Sequence, residues 1–126
     1  MNKDEFVRIR KRLEKTQKEL SILLGVSLKA ISSYEQGWRS IPSHVERQLL
    51  FLLVRTSEVE ANNCWDIRQC PDSQKHTCPA WEFKAGHMCW FINGTICDHT
   101  VHGTWKQKIK VCRRCLVFQA QFDESL

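Results

Sequence analysis

The sequence predicts a mainly α N-terminal domain of four helices, followed by a small, loop-rich domain that a metal ion or a cluster stabilises. In the first half, apolar residues recur at helical spacing between capping residues and glycines. All seven cysteines of the 126-residue chain lie in the second half, which has few aliphatic residues. A region this small and this poor in aliphatic side chains needs a bound cofactor to hold its fold.

Cysteine use changes abruptly near Asn62, so we place the domain boundary near residue 60, with domains at 1–60 and 61–126 and a polar linker at 56–63. The net charge of +5 divides into +3 for residues 1–60 (eleven Lys and Arg against eight Asp and Glu) and +2 for the rest (eight against six). This mildly basic balance is compatible with nucleic acid as a partner.

Membrane targeting is not expected. The first residues, MNKDEFVRIRKRLEK, lack the apolar core of a signal peptide or membrane anchor. The longest apolar run, at 49–54, is too short to cross a bilayer and fits a buried helix. The cytoplasm is therefore the expected location.

Two helices are predicted before Gly25. The first has an apolar stripe at spacings of three and four residues, formed by Phe6, Ile9 and Leu13. Thr16 and Glu19 form a capping box that begins the second helix. We expect its buried face to consist of Leu20, Leu23 and Leu24. Gly25 ends the helix where a left-handed residue is needed.

A third helix follows after a very short turn, with Ser27 as its N-cap. Ala30 and Ile31 are expected to face inward, and Lys29, Ser32 and Ser33 to face outward. Pro42 is expected to begin a fourth helix that continues through Val54. Its apolar residues exceed what one buried face requires, which favours a dimer contact or a domain contact.

The segments TQKEL (16–20), LGVS (24–27) and ISSYEQG (31–37) resemble the helix-turn-helix of the lambda-repressor and Cro type, an XRE-like domain, over residues 3–55. The resemblance implies double-stranded DNA as the partner and a homodimer as the binding form. It implies that Gln17 contacts phosphate, with the phosphate-side loop supplying Trp38, Arg39 and Ser40. The major-groove residues it implies are Ser27, Leu28, Lys29, Ser32 and Ser33. A typical fifth helix is absent, and a basic helix face can also be simply solvated.

The cysteines form an internal echo, because CWDI at 64–67 recurs as CWFI at 89–92, and each copy is followed by another cysteine. Proline directly follows Cys70 and Cys78, as is familiar beside iron-sulfur ligands. Cys112 and Cys115 are separated by two residues and can chelate one ion or cluster within a single turn. The tryptophans beside the cysteines either shield a cluster from water or pack as ordinary core.

The elements C-W, C-P-A, C-W, G-T-x-C and C-x-x-C resemble the small two-CW cysteine domain attached to bacterial sensory and regulatory proteins, over residues 63–119. The resemblance marks all seven cysteines as ligand candidates. We favour Cys70, Cys78, Cys112 and Cys115, with Cys64, Cys89 and Cys97 as further candidates. An iron-sulfur cluster of the [4Fe-4S] type is preferred to zinc. Two zinc ions would need bridging thiolates or help from His76, His87, His99 or His102.

These observations predict a cytoplasmic bacterial transcription regulator that binds specific DNA and senses redox state, oxygen or iron through a cysteine-ligated cofactor. The alternative is a DNA-binding protein in which zinc only folds a protein-interaction module, with a protein partner at the C-terminal domain. We do not expect an enzyme, because no acid-base pair accompanies a lone reactive thiol and no thioredoxin pattern surrounds the C-x-x-C pair.

Overall fold

The computed structural model describes residues 1–56, 64–67, 69–86, 88–97, 100–101 and 103–122. The chain divides into two compact units, Met1–Ser57 with Phe122–Leu126, and Glu58–Gln121. The first unit thus leaves the main run at Ser57, where the sequence suggested residue 60, and takes residues from the end of the predicted second domain. Most of the predicted linker, at 57–63, and three of the histidines, His87, His99 and His102, lie outside the described residues.

In the described residues, the chain is mainly helical, and the first unit contains four helices before residue 57. They are α1 (Lys3–Arg12), α2 (Gln17–Leu24), α3 (Leu28–Gln36) and α4 (Ser43–Thr56). Their inward faces form one core of buried side chains: Phe6, Ile9, Leu20, Leu24, Ala30, Ile31, Tyr34, Val45, Leu49, Leu50 and Leu53. Phe6 and Tyr34 meet edge to face, with ring centroids 5.8 Å apart, which fixes α1 against α3.

Local signals set the ends of α2 and α3 as the sequence predicts. The Thr16 hydroxyl accepts from the Glu19 amide while the Glu19 carboxylate accepts from the Thr16 amide, which confirms the capping box. Gly25 adopts φ 67° and closes α2 in the left-handed region, where a side chain would be strained. The Ser27 hydroxyl accepts from the Ala30 amide at 3.0 Å and begins α3.

Three expectations for this unit are wrong. Leu23 is 50% exposed, because α2 buries Leu20 and Leu24 and turns Leu23 away from the core. Ser33 is buried rather than outward, since it follows Ala30 by three residues and shares its face. Pro42 precedes α4 instead of beginning it, and its carbonyl accepts from the amides of Val45 and Glu46.

The second unit consists of short helices, a small hairpin and two longer helices. The short helices are α5 (Cys64–Ile67), α6 (Asp72–Lys75) and α7 (Pro79–Glu82), followed by a 3₁₀ turn at Cys89–Phe91. β1 (Ile96–Cys97) pairs antiparallel with β2 (Thr100–Val101), with Ile96 opposite Val101. α8 (Trp105–Cys112) and α9 (Leu116–Phe122) complete the described chain. The loop-rich expectation therefore missed α8 and α9.

Trp90 is the largest fully buried side chain of the second unit. Its ring lies edge to face against Phe118 at a centroid distance of 5.9 Å and against Trp105 at 6.5 Å. Its indole N–H donates to the Gln121 side-chain carbonyl at 3.2 Å, which satisfies the buried donor. Trp90 is thus core. Across the described ranges, no helix is long and apolar enough to cross a membrane.

Candidate functional site

The exposed side of α3 carries most of the residues predicted to contact DNA. Only three residues, 25–27, separate α2 from α3, and the amide of Val26 donates to the carbonyl of Ser21 at 3.0 Å. Ser27, Leu28 and Lys29 are exposed at the start of α3, and Ser32 is half-buried one turn later. These four side chains form a small, mixed polar and apolar surface.

Ser33 does not belong to that surface. Its side chain is buried, and its hydroxyl donates to the carbonyl of Lys29 at 2.9 Å. Trp38, Arg39 and Ser40 are all exposed in the loop after α3, and Trp38 has 76% of its surface accessible. A tryptophan this exposed contributes nothing to the core and is free to contact another molecule.

Gln17 is held at the start of α2 by a carboxylate from α3. Its side-chain amide donates to Glu35, which also accepts from the guanidinium of Arg10 at 2.5 Å. Glu35 therefore ties the start of α2 to α1 and α3. Sequence reasoning assigned Gln17 to phosphate and overlooked this network.

In the second unit, five cysteines line one small cavity of about 20 Å³, together with Trp90, Val111, Val117 and Phe118. They are Cys64, Cys89, Cys97, Cys112 and Cys115. The 3₁₀ turn, β1 and α8 bring them together from distant parts of the sequence. The cavity contains two of the four favoured ligands, Cys112 and Cys115, and all three of the further candidates.

The two CW motifs meet at this cavity. Each motif places its cysteine at the first residue of a helical turn, and the amide of Cys64 donates to the carbonyl of Gly86 at 2.8 Å. A hydrogen bond from Cys64 is the main reason that the pKa of the Cys89 thiol is raised, with burial as the second. The internal echo of the sequence is therefore a spatial pair.

Cys70 and Cys78, the other favoured ligands, line a larger cavity of about 310 Å³ whose wall also includes Cys64 and Cys97. The rings of Trp65 and Trp81 stand edge to face in this wall, 4.8 Å apart. The amide of Ile96 donates to the Cys78 sulfur at 3.4 Å. Burial raises the pKa of the Cys70 thiol, and the neighbouring Cys78 raises it further. The favoured set of four is thus divided between two cavities, which share Cys64 and Cys97.

Lys108 is a charged side chain buried beside the five cysteines. It has no exposed surface and lies on α8, which packs against the 3₁₀ turn that carries Cys89. Its ammonium donates to the hydroxyl of Thr95, which is also fully buried. Burial raises the pKa of the Cys97 thiol to about 11, and Cys89 adds to the rise while the Lys108 charge opposes it.

The sequence contains a signal for this lysine that was not used. Trp105, Lys108, Ile109 and Cys112 follow one another at i, i+3, i+4 and i+7, which is the spacing of one helix face. All four are buried. The charge of Lys108 argues against a buried position, and only the position within the stripe argues for it.

Within the described residues, no three His, Cys, Asp or Glu side chains are grouped as they would be around a bound metal ion. Of the histidines, His76 is described, and its ring stands against Trp81 at 5.4 Å. A thiolate site at the five-cysteine cavity therefore requires the thiols to rotate toward a common centre. Comparisons with protein-family models, curated proteins and solved structures find no match to this chain.

Proposed function

We propose that the chain is a bacterial, cytoplasmic regulator of transcription. Its first unit acts as a helix-turn-helix that binds specific double-stranded DNA as a homodimer. The observation that carries this proposal is the α2–α3 pair, joined by three residues, with Ser27, Leu28, Lys29 and Ser32 left accessible along one side of α3. A short helix with an accessible, polar N-terminal half has the size and chemistry to enter a major groove.

The surrounding groups support DNA as the ligand. Arg39 is exposed in the loop after α3, where its guanidinium can reach phosphate, and Trp38 and Ser40 beside it are exposed as well. Small side chains dominate the reading surface, and Ser and Leu discriminate bases weakly. Specificity then depends in part on DNA shape and on the spacing of the two heads of a dimer.

The DNA proposal is tested with the full chain and a labelled duplex, titrated at several salt concentrations. We expect affinity to fall as salt rises, because phosphate contacts release counterions. The triple variant Gln17→Ala, Lys29→Ala, Arg39→Ala should bind weakly. Its matched control, Arg8→Ala, Lys11→Ala, Gln48→Ala, removes the same groups from exposed positions elsewhere in the unit. Equal binding by the triple variant and the wild type would remove the DNA assignment.

The second unit, in this proposal, holds a cysteine-ligated cofactor that reports redox state, oxygen or iron. The five cysteines around one cavity support it, because cysteines of a cytoplasmic chain that converge from distant segments suit metal or cluster ligation better than disulfides. Ligands would come from Cys64, Cys89, Cys97, Cys112 and Cys115. Such a cofactor supplies redox chemistry if it is an iron-sulfur cluster and folding energy alone if it is zinc.

The size of the cavity favours zinc as a second candidate. A volume of about 20 Å³ is room for a single small particle, whereas a [4Fe-4S] cluster requires the thiols to stand further apart. In that case the second unit is a structural module for a protein partner. Iron, sulfide and zinc contents of anaerobically purified protein, with its absorption spectrum, decide between them. A brown protein with iron and sulfide supports the cluster, and a colourless protein with zinc supports the module.

A further inference from the structure

Lys108 presents an electrostatic problem that the described protein groups do not solve. Its side chain has no exposed surface, and its ammonium donates to the neutral hydroxyl of Thr95. A buried ammonium is costly unless an anion lies near it. Among the described residues, no carboxylate is paired with Lys108; the ion pairs found there involve Met1 with Glu46, Arg10 with Glu35, and Lys75 with Asp72.

The groups near Lys108 that can become anions are thiols. The Lys108 charge acts on Cys89 and on Cys97, favouring the thiolate form of both. Thr95 is two residues before Cys97 and joins Lys108 to the strand that carries this cysteine. Lys108 also shares the buried face of α8 with Cys112. The ammonium is thus placed among three of the five cysteines of the small cavity.

We infer that Lys108 is the counter-cation of a metal-thiolate site at the five-cysteine cavity, held in place by Thr95. This rests on the proposed cofactor and adds a residue to it. Either a zinc ion with four thiolates or a [4Fe-4S] cluster with four thiolates carries net negative charge, which a buried ammonium compensates. The lysine contributes no ligand; it is a positioning and charge-compensating residue whose value appears when the thiolates are formed.

The test uses the full-length chain, purified anaerobically, with its metal and sulfide content measured first. Lys108→Met removes the charge and keeps the length of the side chain, and Lys108→Arg keeps the charge. Lys110→Met is the matched control, because Lys110 lies on the same helix and is exposed. The measurement is the rate at which each protein releases its metal to a chelator.

We expect Lys108→Met to release metal at least about tenfold faster than the wild type, in the range found for groups that support metal ligands. Lys108→Arg should restore slow release, and Lys110→Met should match the wild type. If the metal is an iron-sulfur cluster, its midpoint potential should move to more negative values in Lys108→Met, since a nearby cation favours the reduced state. Loss of packing alone predicts neither rescue by arginine nor this shift.

Two outcomes overturn the inference separately from the cofactor proposal. If the wild type holds metal and Lys108→Met holds it equally long, the lysine has no such role while the cofactor stands. If the wild type holds no metal, both fail. Should Lys108→Met fail to fold, Thr95→Val takes its place, because it removes the hydrogen-bond acceptor of Lys108 with little change in shape. Faster release in Thr95→Val supports the inference, and release at the wild-type rate contradicts it.

Discussion

The Nε atom of Arg10 lies 2.5 Å from Oε1 of Glu35, joining α1 to α3 at a largely buried position. The same carboxylate accepts from Gln17 at the start of α2. Three helices of the first unit therefore converge on one carboxylate, and the orientation of α2 relative to α3 depends on it.

Arg10→Met should lower the free energy of unfolding of the first unit by about 2 to 3 kcal/mol, because it leaves the Glu35 charge mostly buried with only Gln17 to compensate. Amide exchange of residues 3–56 in the full chain measures this. Arg8→Met removes an exposed charge from the same helix and should change stability by less than about 0.5 kcal/mol. Equal protection in the two variants would show that the ion pair contributes nothing.

Ser32 and Ser33 are adjacent in sequence and are expected to behave differently toward DNA. Ser32→Ala should change the relative affinities for related duplexes by about 1 kcal/mol, since its side chain is accessible. Ser33→Ala should leave them unchanged, because that hydroxyl is buried and donates to Lys29. Competition titrations with single-base variants of a bound duplex provide the measurement. A preference that shifts with Ser33 instead would place the reading face on the other side of α3.

The difference between these two serines shows what local sequence could predict. Capping residues and glycine placed the ends of α2 and α3, since Thr16, Glu19 and Gly25 act through neighbours in the chain. The burial of Ser33 depends on packing against other helices, and a polar residue gives no hydrophobic signal of it. The partners of Glu35 are 18 and 25 residues away in sequence.

The cysteine cavity was less predictable for the same reason. The favoured ligands were chosen from local features, Cys-Pro pairs and a C-x-x-C pair. Their grouping depends on how the 3₁₀ turn, β1 and α8 pack, which places Cys64 beside Cys89 and leaves Cys70 with Cys78. The repeated CW motif contained the correct information, because its two cysteines meet.

Metal uptake by the second unit should depend steeply on pH. Thiols must lose their protons to bind a metal ion, and the pKa values of Cys89 and Cys97 are both raised, that of Cys97 to about 11. Both thiols are therefore protonated at neutral pH in the metal-free fold, and affinity should rise with pH. We expect about a tenfold gain per pH unit for each proton released. Zn²⁺ titrations of chelator-treated protein between pH 6 and 8, with a proton count at each pH, measure this. Affinity that is independent of pH would contradict thiol ligation.

Removing the cofactor should unfold the second unit selectively. Residues 64–118 have few aliphatic side chains, so burial alone offsets little of the chain entropy, whereas the first unit has a continuous aliphatic core. After chelation, amide protection in 64–118 should fall toward that of an unfolded chain while 3–56 remains protected. Equal protection of 64–118 with and without the cofactor would mean that the fold does not depend on it.

The state of the cofactor should change the affinity of the full chain for DNA. Seven residues, 57–63, connect the end of α4 at Thr56 to Cys64, which is itself one of the cavity cysteines. A change at the thiols therefore begins close in sequence to the DNA-binding unit. Because α4 also has a partly exposed apolar side at Phe51, the same change can alter the pairing of two chains.

Coupling of this kind amounts to a free-energy difference between two states, and we expect about 1 to 3 kcal/mol between cofactor-loaded and cofactor-free protein, in either direction. DNA titrations at fixed salt, on anaerobic protein before and after controlled exposure to air, measure it. Cys112→Ser and Cys115→Ser serve as references that cannot complete the site. If all four samples have one affinity and one oligomeric state, the second unit does not act as a sensor, and a structural zinc module is the reading that remains. If the air-exposed wild type instead matches the two serine variants and differs from the anaerobic protein, the cysteine site controls DNA binding.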